Sequence, residues 1–464
     1  MVIKTLFRSE NRFEFGEVEV KLLPGIPQLH VVGLPDTGIR ESGVRLKSAL
    51  RSCGLRWPEG QQIVVNLRPA HVRKSGSGAD LAIALAFLAA SGQLPEALKE
   101  ISASAYIYAE LSLDGRVTAP FDLAQAIRFV GDQTILSGGG EPRVRNGRWL
   151  EWDSLSATEV KVKNEQFAWS QFWRPPSLPE IEVHPEAARA LWIAAHMGLS
   201  ALIAGPQGSG KTTWARALHA LTPPPDPAQI EEGVALFGES ILESRWRPLE
   251  QPHHSITPPA MIGGGSPLQA GVISRAHGGV LVMDEFLEFH PQVLESLREP
   301  IEAGTIEIAR RGCREKLPAR FQLVGTTNLC PCGQLYPGRL DGCSRSLTRC
   351  RVVCRRLSGP MLDRFDLLVF SHKWLEKGPK VPLAEVKQTL DRLRLFAQSR
   401  GEVEMKLPVE YDDLGLSHRR RRSMLRVARA FADFDESVEM RSDHFHRAAN
   451  LSTLAMTSLA QLFA

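Results

Sequence analysis

One stretch limits what this chain can fold into more than any other: Gly205-Pro206-Gln207-Gly208-Ser209-Gly210-Lys211-Thr212. It fits Gly-x-x-x-x-Gly-Lys-[Ser/Thr]. The apolar run Ala201-Leu202-Ile203-Ala204 before it reads as a strand, and Thr213-Trp214-Ala215-Arg216-Ala217-Leu218 after it as a helix. Glycines let successive backbone N–H groups turn toward phosphate oxygens, and the helix that follows points its positive end at the same charge. Lys211 then reaches the β- and γ-phosphates of ATP, and Thr212 offers its hydroxyl to Mg²⁺. Thr213 completes the nucleotide-binding set at the helix start. The competing reading is a glycine-rich turn that matches by chance, which the strand before it and the helix after it disfavour.

Three further stretches supply the rest of a hydrolytic machine. In Val280-Leu281-Val282-Met283-Asp284-Glu285, a buried strand delivers Asp284 to the Mg²⁺ shell and Glu285, as general base, to a water facing the γ-phosphate. The alternative is a solvated acidic pair at a strand end. Phe321-Gln322-Leu323-Val324-Gly325-Thr326-Thr327-Asn328 is a second strand, and Asn328 at its tip is placed to hold the attacking water. Arg364, in Leu362-Asp363-Arg364-Phe365-Asp366, either stabilises γ-phosphate charge in a neighbouring subunit or forms a surface salt bridge with Asp363 or Asp366.

Around these motifs the pattern is that of a multidomain α/β protein. Residues 1–175 mix strands and helices in an α+β or α/β order. The alternating Phe13-Glu14-Phe15-Gly16-Glu17-Val18-Glu19-Val20 is a half-buried strand, residues 28–32 and 62–67 are two more, and residues 36–52 and 80–90 are helices. Residues 107–115 read as a strand entering a turn. Arg174-Pro175-Pro176-Ser177-Leu178-Pro179 is a linker. Residues 180–375 alternate strand cores with helices, the rhythm of a doubly wound parallel sheet, and residues 380–464 are helical.

A chain of 464 residues with net charge +4 has room for about two to four cores, and its charge permits nucleic-acid binding without arguing for it. No apolar run is long enough for a membrane span, and the first residues lack the order of a signal peptide, so a cytoplasmic protein is expected. Of seven cysteines, five crowd between Cys330 and Cys354. Reduced thiols and one metal site fit that crowding: Zn²⁺ held by Cys330, Cys332, Cys343 and either Cys350 or Cys354. A loop of buried thiols is the other reading.

The phosphate loop, Asp284-Glu285, Thr327-Asn328 and Leu357-Ser358-Gly359-Pro360-Met361-Leu362-Asp363-Arg364-Phe365-Asp366 together resemble the magnesium-chelatase-like branch of the AAA+ ATPases. Val31-Val32-Gly33-Leu34-Pro35-Asp36-Thr37, Pro252-His253-His254 with Gly263-Gly264-Gly265-Ser266, and Cys330-Pro331-Cys332-Gly333 narrow this to the competence ComM (YifB) family, over residues 15–450.

The resemblance implies an AAA+ core with a helical lid. It also implies a homo-oligomeric, hexameric ring on single-stranded or branched DNA, akin in its motor to MCM helicases and acting in branch migration during natural transformation. It makes Asn328 similar to sensor 1, Arg364 to a trans-acting arginine finger and Arg419 to the sensor 2 arginine. For Arg419, within Arg419-Arg420-Arg421-Arg422, a solvated basic helix start is the alternative. Arg310, Arg311, Arg314, Lys316 and Arg320 lie between two strand-like runs. They are either a hairpin tip tracking DNA phosphates in the ring pore or a solvated turn.

The first domain resembles the Lon-protease-like fold (ribosomal-protein-like). However, Gly78 occupies the slot of the nucleophilic serine and Ser77 falls one residue short, so no proteolysis is expected. Residues 130–180 look shortened relative to the family. The rival readings are a metal-chelatase motor subunit, an ATPase-linked Ser/Lys peptidase and a regulatory ATP-binding scaffold.

Overall fold

The alternation in residues 13–20 is realised as the second strand of a hairpin. β1 (Val2–Ser9) pairs antiparallel with β2 (Arg12–Pro24), Ile3 opposite Val18, with both buried. The computed structural model describes residues 1–9, 12–72, 74–140, 142, 147–165, 168–237, 244–265, 269–310, 313–330, 332–334, 357, 359–403, 405–408, 411 and 416–452. The chain forms two units. One is Met1–Phe172 with Val234–Gly238; the other is Trp173–Gly233 with Glu239–Ala464.

In the first unit the hairpin is the middle of a mixed eight-stranded sheet. Its other members are β3 (Leu29–Val32), β4 (Gln61–Arg68), β5 (Tyr106–Ile107), β6 (Ile135–Ser137), β7 (Gly147–Glu151) and β8 (Lys161–Glu165), in the order β8-β7-β6-β5-β1-β2-β4-β3. Helix α1 (Thr37–Ser52) starts where Asp36 Oδ1 accepts from the Ile39 N–H at 2.9 Å. Helix α2 (Asp80–Ala90) is apolar all round and buried from Asp80 to Leu88, so it is the centre of the core rather than a surface helix. Burial pushes the Asp80 carboxyl up, and hydrogen bonds from Arg45, whose Nε lies 2.6 Å away, and from Ser42 oppose that shift.

The expected strand over 107–115 is broken. The Ala109 N–H donates to Gly78 O at 2.8 Å, and Ala109 O accepts from the Leu81 N–H at 3.2 Å. The start of α2 therefore takes the bonds a sheet neighbour would need, and Glu110–Leu111 pairs instead in a small hairpin with Val117–Thr118.

The second unit is built on five parallel strands: β9 (Ala201–Ala204), β10 (Leu249–Glu250), β11 (Val280–Met283), β14 (Gln322–Thr327) and β15 (Leu367–Phe370), in the order β10-β11-β14-β9-β15. All of β9 and β11 is buried, as strands covered on both faces must be. Helix α3 (Pro185–Met197) leads into β9 and α4 (Lys211–Leu221) leads out of it.

Among the described residues, the C-terminal helices α5 (Leu383–Arg400), α6 (His418–Phe434) and α7 (Ser442–Leu451) share the core of the parallel sheet. Leu390, Val427, Phe431 and Phe445 belong to the same buried cluster as Ile203, Leu191 and Val324. Trp192 on α3 stacks on Phe434 with ring centroids 4.8 Å apart and meets Phe431 edge-on. Beneath them Asp433, fully buried, accepts from His196 Nε2 (2.9 Å), Arg400 Nε (2.7 Å) and Arg429 Nε (3.0 Å).

The basic segment at 310–320 is mostly strand rather than turn. β12 (Thr305–Arg310) pairs antiparallel with β13 (Cys313–Pro318), so Arg314 faces Ala309 and Lys316 faces Glu307 in the ladder. Arg320 lies beyond the hairpin at its base, where its N–H donates to His277 Nδ1 at 3.1 Å. Arg311 lies outside the described residues.

Candidate nucleotide site

In an open parallel sheet, ligands bind beyond the carboxyl ends of the strands. The phosphate loop leaves β9 between the tips of β14 and β15 and is bonded to both. The Gly205 N–H donates to Thr327 O (3.1 Å), the Ser371 N–H to Ala204 O (2.9 Å), and the Ser209 and Ser371 hydroxyls lie 2.6 Å apart. Gly205 has φ +156, and a Cβ there would stand 2.3 Å from Ser371 Oγ, so this close approach requires glycine. Gln207 lies on the loop crest, and Gly208 and Gly210 turn with φ +77 and +85 into the N-terminus of α4, which begins with Lys211, Thr212 and Thr213.

The Lys211 ammonium is held within the loop by Gly205 O (3.1 Å), Pro206 O (2.7 Å) and Asn328 Oδ1 (3.0 Å). Burial lowers its pKa from the usual lysine value, while Asp284 and Glu285 oppose that. Such a cation is paired with dipoles and lacks the full countercharge that a polyphosphate brings.

Thr212 Oγ1 donates to Asp284, 3.1 Å from Oδ2, and Thr326 Oγ1 bonds the other oxygen of the same carboxylate. A hydroxyl and a carboxylate at that spacing beside a phosphate loop fit a hard cation with oxygen ligands. Magnesium held there by Thr212 and Asp284 would neutralise charge on the terminal phosphates.

Glu285 follows in the left-handed region, φ +53, with its N–H on Thr326 Oγ1 at 3.2 Å. A non-glycine residue held there is strained, at a cost of about 1–3 kcal/mol, and such strain clusters at functional sites. The turn throws the Glu285 side chain outward, where it is 57 % exposed, with Oε2 3.6 Å from His254 Nδ1. His254 packs against His253 with ring centroids 4.0 Å apart. Pro252-His253-His254 was legible as a motif, but its place beside the acidic pair was not.

The description of the magnesium chelatase subunit ChlI family matches residues 177–377, and a second model of the same subunit matches residues 18–131. YifB of Salmonella typhimurium is 33 % identical over 93 % of this chain and 93 % of its own length. YifB of Escherichia coli is similar to the same extent, and competence protein ComM of Haemophilus influenzae is 35 % identical over 83 % of this chain and 78 % of its own. The chain belongs to the YifB/ComM family of magnesium-chelatase-like AAA+ proteins.

Within this YifB/ComM chain the arginines separate by environment. Arg364 is 4 % exposed, its Nη1 donating to Met361 Sδ (3.6 Å) and its Nη2 lying 3.9 Å from Glu295 Oε1. Among the described residues the two neighbouring aspartates take other donors. Asp363 receives Arg420 Nε at 2.9 Å, and Asp366 receives Ser423 Oγ at 2.5 Å and the Ser200 N–H at 2.9 Å. Arg420 also donates to Phe365 O (2.8 Å) and to Leu362 O, which commits it to tying α6 to that turn. Arg419 is more open, its Nη2 3.3 Å from Arg364 O and its Nη1 4.0 Å from Glu302, so it shares the Arg364 turn.

Cys330 and Cys332 bring their sulfurs to 3.2 Å, and Gly333 lies against Gln207 of the phosphate loop. Cys343, Cys350 and Cys354 lie outside the described residues. In the first unit a Cβ on Gly78 would stand 2.2 Å from the Tyr108 ring, so a serine has no room there. Ser77 donates to Glu110 Oε1 at 2.5 Å, and the Lys74 ammonium is taken up by the carbonyls of Gly33, Pro69 and Val72.

Proposed function

We propose that the chain is a magnesium-dependent ATPase that works as a hexameric ring on single-stranded or branched DNA, moving branch points as a helicase during natural transformation. The observation that carries the hydrolytic part is the convergence of Lys211, Thr212, Asp284, Glu285 and Asn328 at the tips of three adjacent parallel strands. Lys211 and the loop N–H groups bind the phosphates, Glu285 takes the proton of the attacking water, and Asn328 orients that water. Arg364 acts on the neighbour's nucleotide after its turn rearranges on assembly, with Arg419 as the lid arginine beside it. The first unit is read as a non-proteolytic Lon-protease-like domain.

DNA as client rests on the name of the relative ComM, a competence protein, and on the basic β12–β13 hairpin. A cytoplasmic setting is consistent with the absence, among the described residues, of any helix long and apolar enough to cross a membrane. The second reading, a motor that drives metal insertion, is favoured by the matching family's own description. ATP turnover measured alone, with single-stranded DNA, with duplex and with a four-way junction separates the two. Stimulation by junction or single strand supports the DNA motor, and indifference to all three sinks it.

A further inference from the structure

A groove of about 940 Å³ opens on the first unit, between the C-terminal half of α1, the segment leading into β4 and the end of α2. Lys47 and Arg51 stand four residues apart on α1 and therefore on one face, and both line it. Gly54, at φ +71, then turns the chain so that Arg56 and Trp57 form the adjoining wall. Gln93, from the turn after α2, fixes that wall: its Oε1 accepts from the Arg56 N–H at 2.8 Å and its Nε2 donates to Arg56 O at 3.0 Å. Trp57 stacks on Phe87 of α2 with ring centroids 5.7 Å apart, and the Lys47 ammonium lies 5.7 Å from the indole centroid.

The charge arrangement is the unusual feature. The chain carries 56 basic and 52 acidic residues, so a carboxylate partner is easy to supply. Yet among the described residues Lys47, Arg51 and Arg56 have no carboxylate oxygen within 4.0 Å, although Glu59 lines the same groove. Like charges one helical turn apart repel. Three cations gathered on a rigid, concave, tryptophan-floored wall are arranged for a polyanion that follows the groove, and a positive groove with an aromatic surface is how single strands are held without sequence preference.

We infer that this groove binds the phosphodiester backbone of a single nucleic-acid strand. The inference rests on the reading of DNA as client and adds a contact outside the nucleotide-binding unit. A strand suits the concavity, whereas a duplex presents a convex, stiff cylinder to it.

The test is the anisotropy of fluorescein-labelled dT20 titrated with the full chain at several salt concentrations, for wild type and for K47A/R51A/R56A. All three positions belong to the first unit, whereas the phosphate loop belongs to the second, so ATP turnover without DNA reports on folding. Loss of three phosphate contacts should weaken binding roughly tenfold or more and flatten the log–log salt slope by about two, since each contact to a single strand contributes about 0.7. R51K/R56K should keep the wild-type slope. Wild-type affinity and slope in the alanine variant overturn the inference and leave the DNA reading standing. Failure of the wild type to bind dT20 or a junction overturns both. If dTMP displaces dT20 as effectively as unlabelled dT20 does, the groove is a mononucleotide site. If the variant loses binding to phosphatidylserine vesicles while keeping dT20, the groove is a membrane contact. Either result overturns the strand assignment.

Discussion

The Lys211 ammonium donates to Asn328 Oδ1 at 3.0 Å, joining the phosphate loop to the tip of the neighbouring strand β14. The two residues are 117 positions apart, and the bond fixes the amide on the side where the terminal phosphate is read to lie. Lys211→Ala is expected to weaken ATP binding at least tenfold, because the loop loses its only side-chain cation. Asn328→Ala should leave binding within a few-fold and lower kcat about 10²–10³-fold, the range for losing one oriented hydrogen-bonding group at the reacting centre. Nucleotide titration and single-turnover hydrolysis distinguish the two; equal loss of binding in both variants contradicts the assignment.

Glu285→Gln keeps the side-chain shape and the Asp284 carboxylate while removing the base. Turnover should fall about 10²–10⁴-fold with ATP affinity preserved. A kcat within a few-fold of wild type removes Glu285 from the role of base.

Arg364 is buried in its own subunit beside Glu295 and Met361. Should it complete a neighbour's site, Arg364→Ala protein binds ATP but does not turn it over. Mixing it in equal amounts with Lys211→Ala protein then regenerates roughly a quarter of the interfaces with an intact loop and an intact arginine, as head-to-tail ring contacts allow. Turnover of the mixture above that of either variant is the expected reading. Mixed rings that stay inactive place Arg364 in cis or outside the chemistry.

Cys330 and Cys332 hold their sulfurs 3.2 Å apart beside the phosphate loop, closer than the roughly 3.8 Å that tetrahedral zinc–thiolate geometry sets, so joint ligation requires the two to spread. Protein purified without chelator should contain about one zinc per chain, lost in Cys330→Ser/Cys332→Ser. Elemental analysis that finds none retires the zinc site.

Asp433 joins α3, α5 and α6. Burial pushes its carboxyl up, but the hydrogen bonds from His196 and Arg400 and the charge of Arg429 prevail and hold it at about 2. A carboxylate with a depressed folded value adds stability that is complete above its unfolded value, about 3.9, and is lost as pH falls through the folded one. Urea midpoints should therefore drop between about pH 4 and 2, and Asp433→Asn should remove that part of the drop. At neutral pH the same variant strands buried cations and should cost about 3–5 kcal/mol.

Much of this was legible in the sequence because it is local. The phosphate loop, the Asp284-Glu285 strand end, α1 with its Asp36 cap and α2 each follow from spacing and side-chain type within a few residues. On the Lon-protease-like reading proposed for the first unit, the sequence puts Gly78 where a nucleophilic serine would be needed. The tertiary fold alone explained why no serine fits: the Tyr108 ring, thirty residues on, occupies its space. Likewise four consecutive arginines are indistinguishable on paper. Packing separates them, because Arg420 meets Asp363 and two carbonyls of a turn more than fifty residues upstream while Arg419 does not. The groove of Lys47, Arg51, Arg56 and Trp57 was invisible for the same reason, since Gln93 fixes its wall and Phe87 backs Trp57 from beneath, contacts that only long-range packing creates.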